Sequence, residues 1–270
     1  MTQMLASVTS VAEALLALEL GADIIDLKNP HEGALGALPL ATLVSIVAAI
    51  DGRRTVSATI GDIPNHPASI AQKVVATAAT GVDIVKIGIA ASRLALALGH
   101  PVGQPPHLAF WHGAAWLGSL GPTPPARLAT AAGPVPASTR LVAVLFADEA
   151  FDLAWIDALA ASGFYGVMLD TADKQGGGLR RHCDDAWLRN FVQRARAKLL
   201  MCGLAGSLRL DDIAPLLALS PDYLGFRGAL CRNTSRTAQL DADAFRAVRA
   251  RMLNSAAVKV TSEQFVPRVA

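Results

Sequence analysis

The stretch Gly21-Ala22-Asp23-Ile24-Ile25-Asp26 decides the fold class because it recurs along the chain. It returns as Gly81-Val82-Asp83-Ile84-Val85-Lys86 and, more loosely, as Gly163-Phe164-Tyr165-Gly166-Val167-Met168-Leu169-Asp170. Each copy begins with Gly where a helix is expected to end, since Gly tolerates the left-handed conformation. Each continues as an apolar run typical of a strand buried on both faces, and ends in a charged residue. The repeat therefore predicts helices that alternate with buried parallel strands.

Similar apolar runs occur throughout the chain, with Ala- and Leu-rich helical stretches between them. The predicted strands are Met4–Val8, Asp23–Lys28, Thr55–Ile60, Asp83–Ile87, Leu141–Phe146, Tyr165–Asp170, Leu199–Leu204 and Asp222–Phe226. The predicted helices are Val11–Leu20, Leu40–Ala49, Ala68–Ala79, Phe151–Ser162, Asp185–Lys198 and Asp211–Ala218. Eight strands alternating with helices predict an α/β protein, a (β/α)8 TIM barrel, and 270 residues suit one such domain.

The domain prediction is one barrel over residues 1–254, followed by a C-terminal tail over 255–270. A stretch at about 99–138 interrupts the repeat between the fourth and fifth strands. It is rich in Pro and Gly and contains Phe110, Trp111 and Trp116. We interpret it as an insertion whose sequence is compatible with a helix with long loops, a lid or an oligomer contact. We expect the protein to be a homo-oligomer.

The composition excludes several classes of protein. A formal net charge of +2 with scattered charges argues against binding to nucleic acid or to a membrane surface. Acidic residues interrupt the apolar N-terminal stretch, so it is predicted to be neither a signal peptide nor a spanning helix. The three cysteines lie far apart, as expected for reduced thiols in the cytoplasm. Neither the cysteines nor the six histidines show metal-ligand spacing, so we expect no metal and no organic cofactor.

Five charged residues are predicted to meet at the carboxyl ends of the strands. Asp26 and Lys28 are two apart on the second strand and therefore point to the same side. Lys86 closes the fourth strand, and Asp170 closes the sixth with Lys174 shortly after it. Barrels carry their active sites on this face, and a lysine beside other cations or in an apolar pocket can attack a carbonyl as a free amine. The alternative is that these residues are paired surface charges without a function. That interpretation fits a single lysine at a strand end better than it fits all five residues together.

The loops after the seventh and eighth strands are predicted to bind phosphate, as they do in many barrels. They read Leu204-Ala205-Gly206-Ser207 and Phe226-Arg227-Gly228-Ala229. Small residues let a phosphate approach the backbone amides, and the Arg227 and Ser207 side chains offer further donors. The predicted binding residues are Ala205, Gly206, Ser207, Arg227, Gly228 and Ala229. Two ordinary strand-to-helix turns are the alternative.

The third strand and its loop contribute weaker candidates. Ser57 and Thr59 are expected either to face the pocket or simply to fill the barrel. Asp62, in the loop that follows, is expected to face the pocket.

At these residues the chain resembles the (5-formylfuran-3-yl)methyl phosphate synthase family, also called 4-(hydroxymethyl)-2-furancarboxaldehyde-phosphate synthase. The segments that carry the resemblance are residues 21–30 (GADIIDLKNP), 33–37 (GALGA), 56–64 (VSATIGDIP), 85–88 (VKIG), 168–172 (MLDTA) with Lys174, 204–207 (LAGS) and 225–229 (GFRGA). They extend from the second strand to the eighth. The segment Asp26-Leu27-Lys28-Asn29-Pro30 followed by Gly33-Ala34-Leu35-Gly36 is the most specific of them. The insertion at about 99–138 departs from the family pattern.

The resemblance implies a carbon–oxygen lyase acting on phosphates that makes the furan precursor of methanofuran. It implies that two molecules of glyceraldehyde 3-phosphate combine with loss of phosphate and water. It also implies that Lys28 forms a Schiff base, that Lys86 accepts a proton, and that Asp26, Asp170 and Lys174 complete the site. On the motifs alone, Lys28 and Lys86 can exchange roles.

Two other functions are compatible with the same residues. One is a different lysine-dependent barrel enzyme, such as a class I aldolase or a sugar-phosphate isomerase. The other is a non-catalytic protein that binds a phosphorylated metabolite, because a fold alone does not determine function. The identity of the product distinguishes another lysine-dependent enzyme from a furan synthase. Trapping of a lysine adduct with borohydride distinguishes an enzyme of either kind from a non-catalytic binding protein.

Overall fold

The eight strands of the protein close into a parallel barrel, which confirms the predicted fold class. The structure is a computed structural model and describes residues 1–61, 67–89 and 138–263. Neighbouring strands pair in chain order, and β1 also pairs with β8. The strands are β1 (Gln3–Val8), β2 (Ile24–Leu27), β3 (Thr55–Thr59), β4 (Ile84–Ile89), β5 (Arg140–Phe146), β6 (Gly166–Asp170), β7 (Met201–Leu204) and β8 (Tyr223–Phe226).

The helices of the described residues surround the barrel. They are α1 (Val11–Glu19), α2 (Leu40–Ile50), α3 (Pro67–Ala78), α4 (Ala154–Ala161), α5 (Leu179–His182), α6 (Asp185–Ala197), α7 (Leu210–Ala218) and α8 (Ala242–Glu263). Two short 3-10 helices, Gly228–Leu230 and Arg232–Thr234, follow β8. The hydroxyl of Ser10 caps α1 by accepting from the Glu13 amide, as expected of Ser at a helix start.

Side chains alternate between the inside and the outside of the barrel along each strand. On β2, Ile25 and Leu27 pack into the core between the barrel and the helices, whereas Ile24 belongs to a cluster inside the barrel. Because side-chain direction repeats every second residue, Asp26 also points inward, near the carboxyl end of the barrel. The inner cluster consists of Leu5, Ile24, Ala34, Leu35, Ile84, Val142, Val144, Phe146, Met168, Ala205 and Tyr223. The interior is therefore apolar below a layer of charged side chains.

Two glycines make room for large side chains inside the barrel. A Cβ at Gly203 would lie 2.1 Å from Cζ of Tyr223, and a Cβ at Gly88 would lie 2.4 Å from Cδ1 of Leu35. Real Cβ atoms do not approach other atoms this closely, so a larger residue at either position would force the Tyr223 or Leu35 side chain to move. Leu35 comes from the loop after β2, so this loop packs down into the barrel beside the charged layer.

The structure differs from the sequence-based prediction at some element ends. Strand β7 begins at Met201 rather than Leu199, because Leu199 has a φ of 59° and is 93% exposed. Helix α8, which was not predicted, buries Phe245, Val248 and Met252 and continues through Glu263, where a tail was expected. Asp62 lies outside the described residues. The predicted insertion also lies outside them as far as residue 137.

Candidate active site

A fully buried ion pair between β2 and β4 forms the deepest part of the candidate site. The Nζ of Lys86 lies 2.5 Å from Oδ1 of Asp26, and the two residues are 1% and 0% exposed. The hydroxyls of Ser7 and Ser57 donate to the Asp26 carboxylate at 2.9 and 2.7 Å. Three neighbouring strands, β1, β3 and β4, thus supply donors that hold the Asp26 carboxylate. A buried carboxylate needs such partners because its desolvation is costly.

A second charged group lies at the end of β6 and includes Lys28. The Nζ of Lys174 lies 2.5 Å from Oδ1 of Asp170, while the Nζ of Lys28 lies 3.9 Å from Oδ2 of the same carboxylate. The backbone amide of Thr171 donates to Asp170 at 2.8 Å. The structure therefore brings together all five charged residues that the strand pattern predicted.

Burial and neighbouring charges shift the pKa values of this group. Burial raises the pKa of Asp26, but the ammonium groups of Lys86 and Lys28 more than offset this and leave it below the usual value. Burial lowers the pKa of Lys86, although Asp26 opposes this effect. Burial also raises the pKa of Asp170, but the charges of Lys174 and Lys28 outweigh this effect, and the pKa falls to about 2. Burial also lowers the pKa of Lys174 against the opposing effect of Asp170. Both lysines therefore lose a proton more readily than an exposed lysine does.

A cavity of about 570 Å³ opens over the carboxyl ends of β6, β7, β8 and β1. Lys28, Asp170 and Lys174 line it, whereas Lys86 and Asp26 lie deeper in the barrel and are not among its lining residues. Three residues of the apolar inner cluster also line it: Leu5, Met168 and Ala205. Lys28 and Lys174 are therefore the lysines that border the cavity directly, and Lys86 lies beneath them.

The two predicted phosphate turns border the same cavity, which all six of their predicted residues line. Gly206 and Ser207 both have positive φ, at 108° and 48°, and both residues line the cavity. Gly228 and Ala229 open a 3-10 helix, so their amides lack intrahelical acceptors. In the described part of the chain, the amides of Gly206, Ser207, Gly228 and Ala229 have no protein acceptor. Four such amides on residues that line one cavity suit an anion.

Comparison with known proteins assigns the family. The family model described as 4-HFC-P synthase matches residues 4–99 and 126–249, which include both ion pairs and both phosphate turns. The chain belongs to the 4-HFC-P synthase family. The resemblance inferred from the motifs is thereby confirmed.

Individual relatives agree with this assignment. A protein of Methylorubrum extorquens with the provisional name (5-formylfuran-3-yl)methyl phosphate synthase is 41% identical over 239 residues, covering 88% of this chain and 86% of the relative. The (5-formylfuran-3-yl)methyl phosphate synthase of Methanococcus maripaludis is 31% identical over 239 residues, covering 86% and 91%. Among solved structures, phosphoribosyl anthranilate isomerase of Thermus thermophilus matches with a TM-score of 0.56 and 16% identity over 94% of this chain and 99% of that one. This last similarity concerns the barrel fold alone.

One predicted role in this member of the 4-HFC-P synthase family is wrong. The side chain of Arg227 was predicted to donate to phosphate, but the residue is only 8% exposed and its guanidinium forms a buried ion pair with Glu13 at 2.6 Å. All of its N–H groups are already engaged. They donate to Glu13 and to the backbone carbonyls of Ser7, Arg236 and Ala238. Only the backbone of Arg227 remains available to a ligand.

Three residues of the site were missed by the sequence reasoning. Ser7 donates to Asp26, Glu13 binds Arg227, and the Arg236 side chain lines the cavity. Ser7 stands at an inward position of β1, so the strand period alone could have found it. Glu13 and Arg227 are 214 residues apart, and no local pattern connects them.

The described residues contain neither a candidate metal site nor a candidate membrane span. Within residues 1–61, 67–89 and 138–263, no three or more His, Cys, Asp or Glu side chains are grouped so as to hold a metal ion. Over the same ranges, no helix combines the length and apolar character needed to cross a membrane. Cys183, Cys202 and Cys231 are all buried free thiols.

The low pKa of Asp170 predicts a specific loss of stability in acid. Because the folded pKa is about 2 against a usual 3.8, the stabilisation is complete above pH 3.8 and disappears as the pH falls through about 2. The shift corresponds to about 2 kcal/mol of unfolding free energy, which the wild type should lose as the pH falls from about 4 to below 2 and Asp170→Asn should not. Urea unfolding of both proteins across this range measures the difference. Equal pH dependence of the two would contradict the prediction.

Proposed function

We propose that this protein is a lyase that condenses two molecules of glyceraldehyde 3-phosphate to (5-formylfuran-3-yl)methyl phosphate (4-HFC-P) through a Schiff base on Lys28. The reaction would serve the biosynthesis of a methanofuran-type cofactor. Family membership supports the product, since the relatives carry the name of its synthase. The geometry of the lysines supports the mechanism.

The observation that carries the proposal is the position of Lys28. It lines the cavity, and its Nζ lies 3.9 Å from the Asp170 carboxylate, whereas Lys86 and Lys174 each lie 2.5 Å from a carboxylate. An amine that is held only loosely by its ion partner is the one best able to leave it and attack an aldehyde. Lys28 also lies near the other two lysines, since its charge lowers the pKa values of both Lys86 and Lys174.

In the first half of the proposed reaction, the Lys28 amine adds to the aldehyde carbon of one triose phosphate. Loss of water then gives a protonated imine, which acidifies the neighbouring C–H bond because the iminium accepts the electron pair. Lys86 is the proposed proton acceptor, since burial makes its neutral form accessible. Asp26, which lies against Lys86, stabilises the ammonium group that proton uptake creates.

In the second half, the resulting enamine expels the phosphate of the same triose, breaking its C–O bond. Carbon–carbon bond formation with a second triose phosphate and ring closure follow, with hydrolysis of the imine to free Lys28. Two molecules of glyceraldehyde 3-phosphate then give one 4-HFC-P, one phosphate and two waters, so atoms balance without an oxidant. The Lys174–Asp170 pair borders the cavity and is placed to give protons to the departing oxygens.

The test of this proposal is the identity of the product. Incubation of the protein with glyceraldehyde 3-phosphate alone should yield a compound that absorbs in the ultraviolet and has the mass of 4-HFC-P, with one equivalent of free phosphate. An aldol product without ultraviolet absorption would instead support another Schiff-base aldolase, and triose isomerisation would support an isomerase. Binding without turnover would support a non-catalytic role.

Cytoplasmic localisation and a homo-oligomeric state are also part of this proposal. Light scattering measures the oligomeric state.

A further inference from the structure

Arg236 spans the mouth of the active-site cavity. It lies after β8, and its Nη2 donates to the backbone carbonyl of Gly33 in the loop after β2 at 2.7 Å. Strand β1 lies between β8 and β2 in the barrel, so the side chain crosses over the carboxyl end of β1. Arg236 lines the cavity and is only partly exposed. A cation in this place faces any ligand that enters.

The buried Glu13–Arg227 pair fixes the backbone that carries Arg236. The Nε of Arg227 donates to the carbonyl of Arg236 at 2.8 Å, and its Nη2 donates to the carbonyl of Ala238 at 2.7 Å. Glu13 accepts from Arg227 and also from the amide of Leu240 at 3.1 Å. Bonds to charged, buried groups are strong, so the segment from 236 to 240 is held at several points. The arginine predicted to bind phosphate thus positions a second arginine.

The cations and free backbone amides around Arg236 suit the binding of a dianion. Its charge, together with burial, lowers the pKa of Lys174, so the two cations lie near each other. The Gly228 turn adjoins the Arg236 segment, since a Cβ at Gly228 would lie 3.9 Å from the Arg236 amide. The free amides of Gly228 and Ala229 border the same cavity. Two neighbouring cations repel each other until an anion lies between them.

The other arginine with a side chain available to the cavity is less suited to this role. Arg209 also lines the cavity, but it is an exposed residue before α7 and solvent screens its charge. Arg236, and not Arg209, is among the main charges that lower the pKa of Lys174. Charge, partial burial and a fixed backbone therefore distinguish Arg236 from Arg209.

We propose that Arg236 is the side-chain cation of the phosphate subsite and that it selects phosphorylated trioses over unphosphorylated ones. This inference rests on the proposed function, because it assigns the phosphate of that substrate to a particular side chain. The planar guanidinium suits the task, since it can give two parallel hydrogen bonds to a phosphate.

The experiment compares Arg236→Met with Arg232→Met, which removes an exposed arginine from the same loop. Inorganic phosphate is the probe in calorimetry, and trapping by borohydride is measured with glyceraldehyde 3-phosphate and with glyceraldehyde. Arg236→Met should weaken phosphate binding by roughly 10- to 150-fold, the usual effect of losing hydrogen bonds to a charged group. It should reduce trapping of the phosphorylated triose and leave trapping of glyceraldehyde unchanged. Arg232→Met should match the wild type in all of these measurements.

The outcomes separate this inference from the proposed function. If the wild type traps a triose and Arg236→Met binds phosphate as tightly as the wild type, Arg236 is not the phosphate cation, and the lysine chemistry stands. A loss on Arg209→Met instead would overturn the assignment in the same way. If the wild type traps neither triose but Arg236→Met still weakens phosphate binding, the Schiff base is wrong and the subsite is supported. Should Arg236→Met fail to fold, Arg236→Lys replaces it and is expected to bind phosphate with an affinity below that of the wild type.

Discussion

Lys28→Arg is expected to abolish both synthesis of 4-HFC-P and the borohydride-trapped adduct, while phosphate binding persists. A guanidinium keeps the positive charge near Asp170 but has no free amine with which to form an imine. Turnover should fall by about 10⁵-fold or more, the scale observed when an enzyme loses its nucleophile. Peptide mass spectrometry after reduction with glyceraldehyde 3-phosphate measures the adduct, and phosphate calorimetry checks that the cavity is intact.

Surface lysines provide the control for this experiment. Lys198 is exposed and pairs with Asp157 at 3.5 Å, so Lys198→Arg removes one lysine without touching the cavity. It should retain full activity and full labelling of Lys28. An adduct on Lys86 in the wild type would preserve the lyase but reverse the two lysine roles. Product formation with no adduct on any lysine would exclude the Schiff base.

The second large effect is expected at Lys86, where removal of the amine should slow proton transfer but leave the imine intact. Lys86→Met should lower turnover by about 10²- to 10⁴-fold, the usual contribution of a general base. Trapping at Lys28 should continue, because Lys86 does not line the cavity. In the wild type, kcat/KM should rise with pH as Lys86 loses its proton, and its lowered pKa moves this rise below the pH range of an exposed lysine. Lys86→Met should lack this rise.

A double variant separates the chemical role of Lys86 from a structural one. Lys86→Met alone leaves the Asp26 carboxylate buried without its cation, which is costly and can disturb the site by itself. In Lys86→Met/Asp26→Asn both charges are removed, and the amide can still pair with the hydroxyls of Ser7 and Ser57. Turnover that stays low in the double variant supports proton transfer by Lys86. Recovery to near the wild-type rate would show that Lys86 only balances the charge of Asp26.

Much of the barrel follows from local sequence patterns. The strands predicted at Met4–Val8 and Thr55–Ile60 differ from the observed β1 and β3 by one residue at one end. The reason is that a strand buried on both faces must be apolar throughout, and Gly marks the turn before it. Helix α8 escaped prediction because its apolar positions are few and its burial depends on packing against α7.

The sequence by itself determined the barrel, the inward period of its strands and the meeting of Asp26, Lys28, Lys86, Asp170 and Lys174. These follow because side-chain direction alternates along a strand, and because the carboxyl ends of parallel strands lie on one face.

Only the tertiary structure decided how these charges divide. It paired Lys86 with Asp26 in the deep interior, left Lys28 at the cavity, and bound Arg227 to Glu13 from the far end of the chain. Ion pairing depends on distances of a few ångströms and on desolvation, and both are set by contacts between residues far apart in sequence. The same closure of the barrel, β8 against β1, brings Arg236 to the Gly33 carbonyl at the cavity, although Arg236 belongs to no motif of its own.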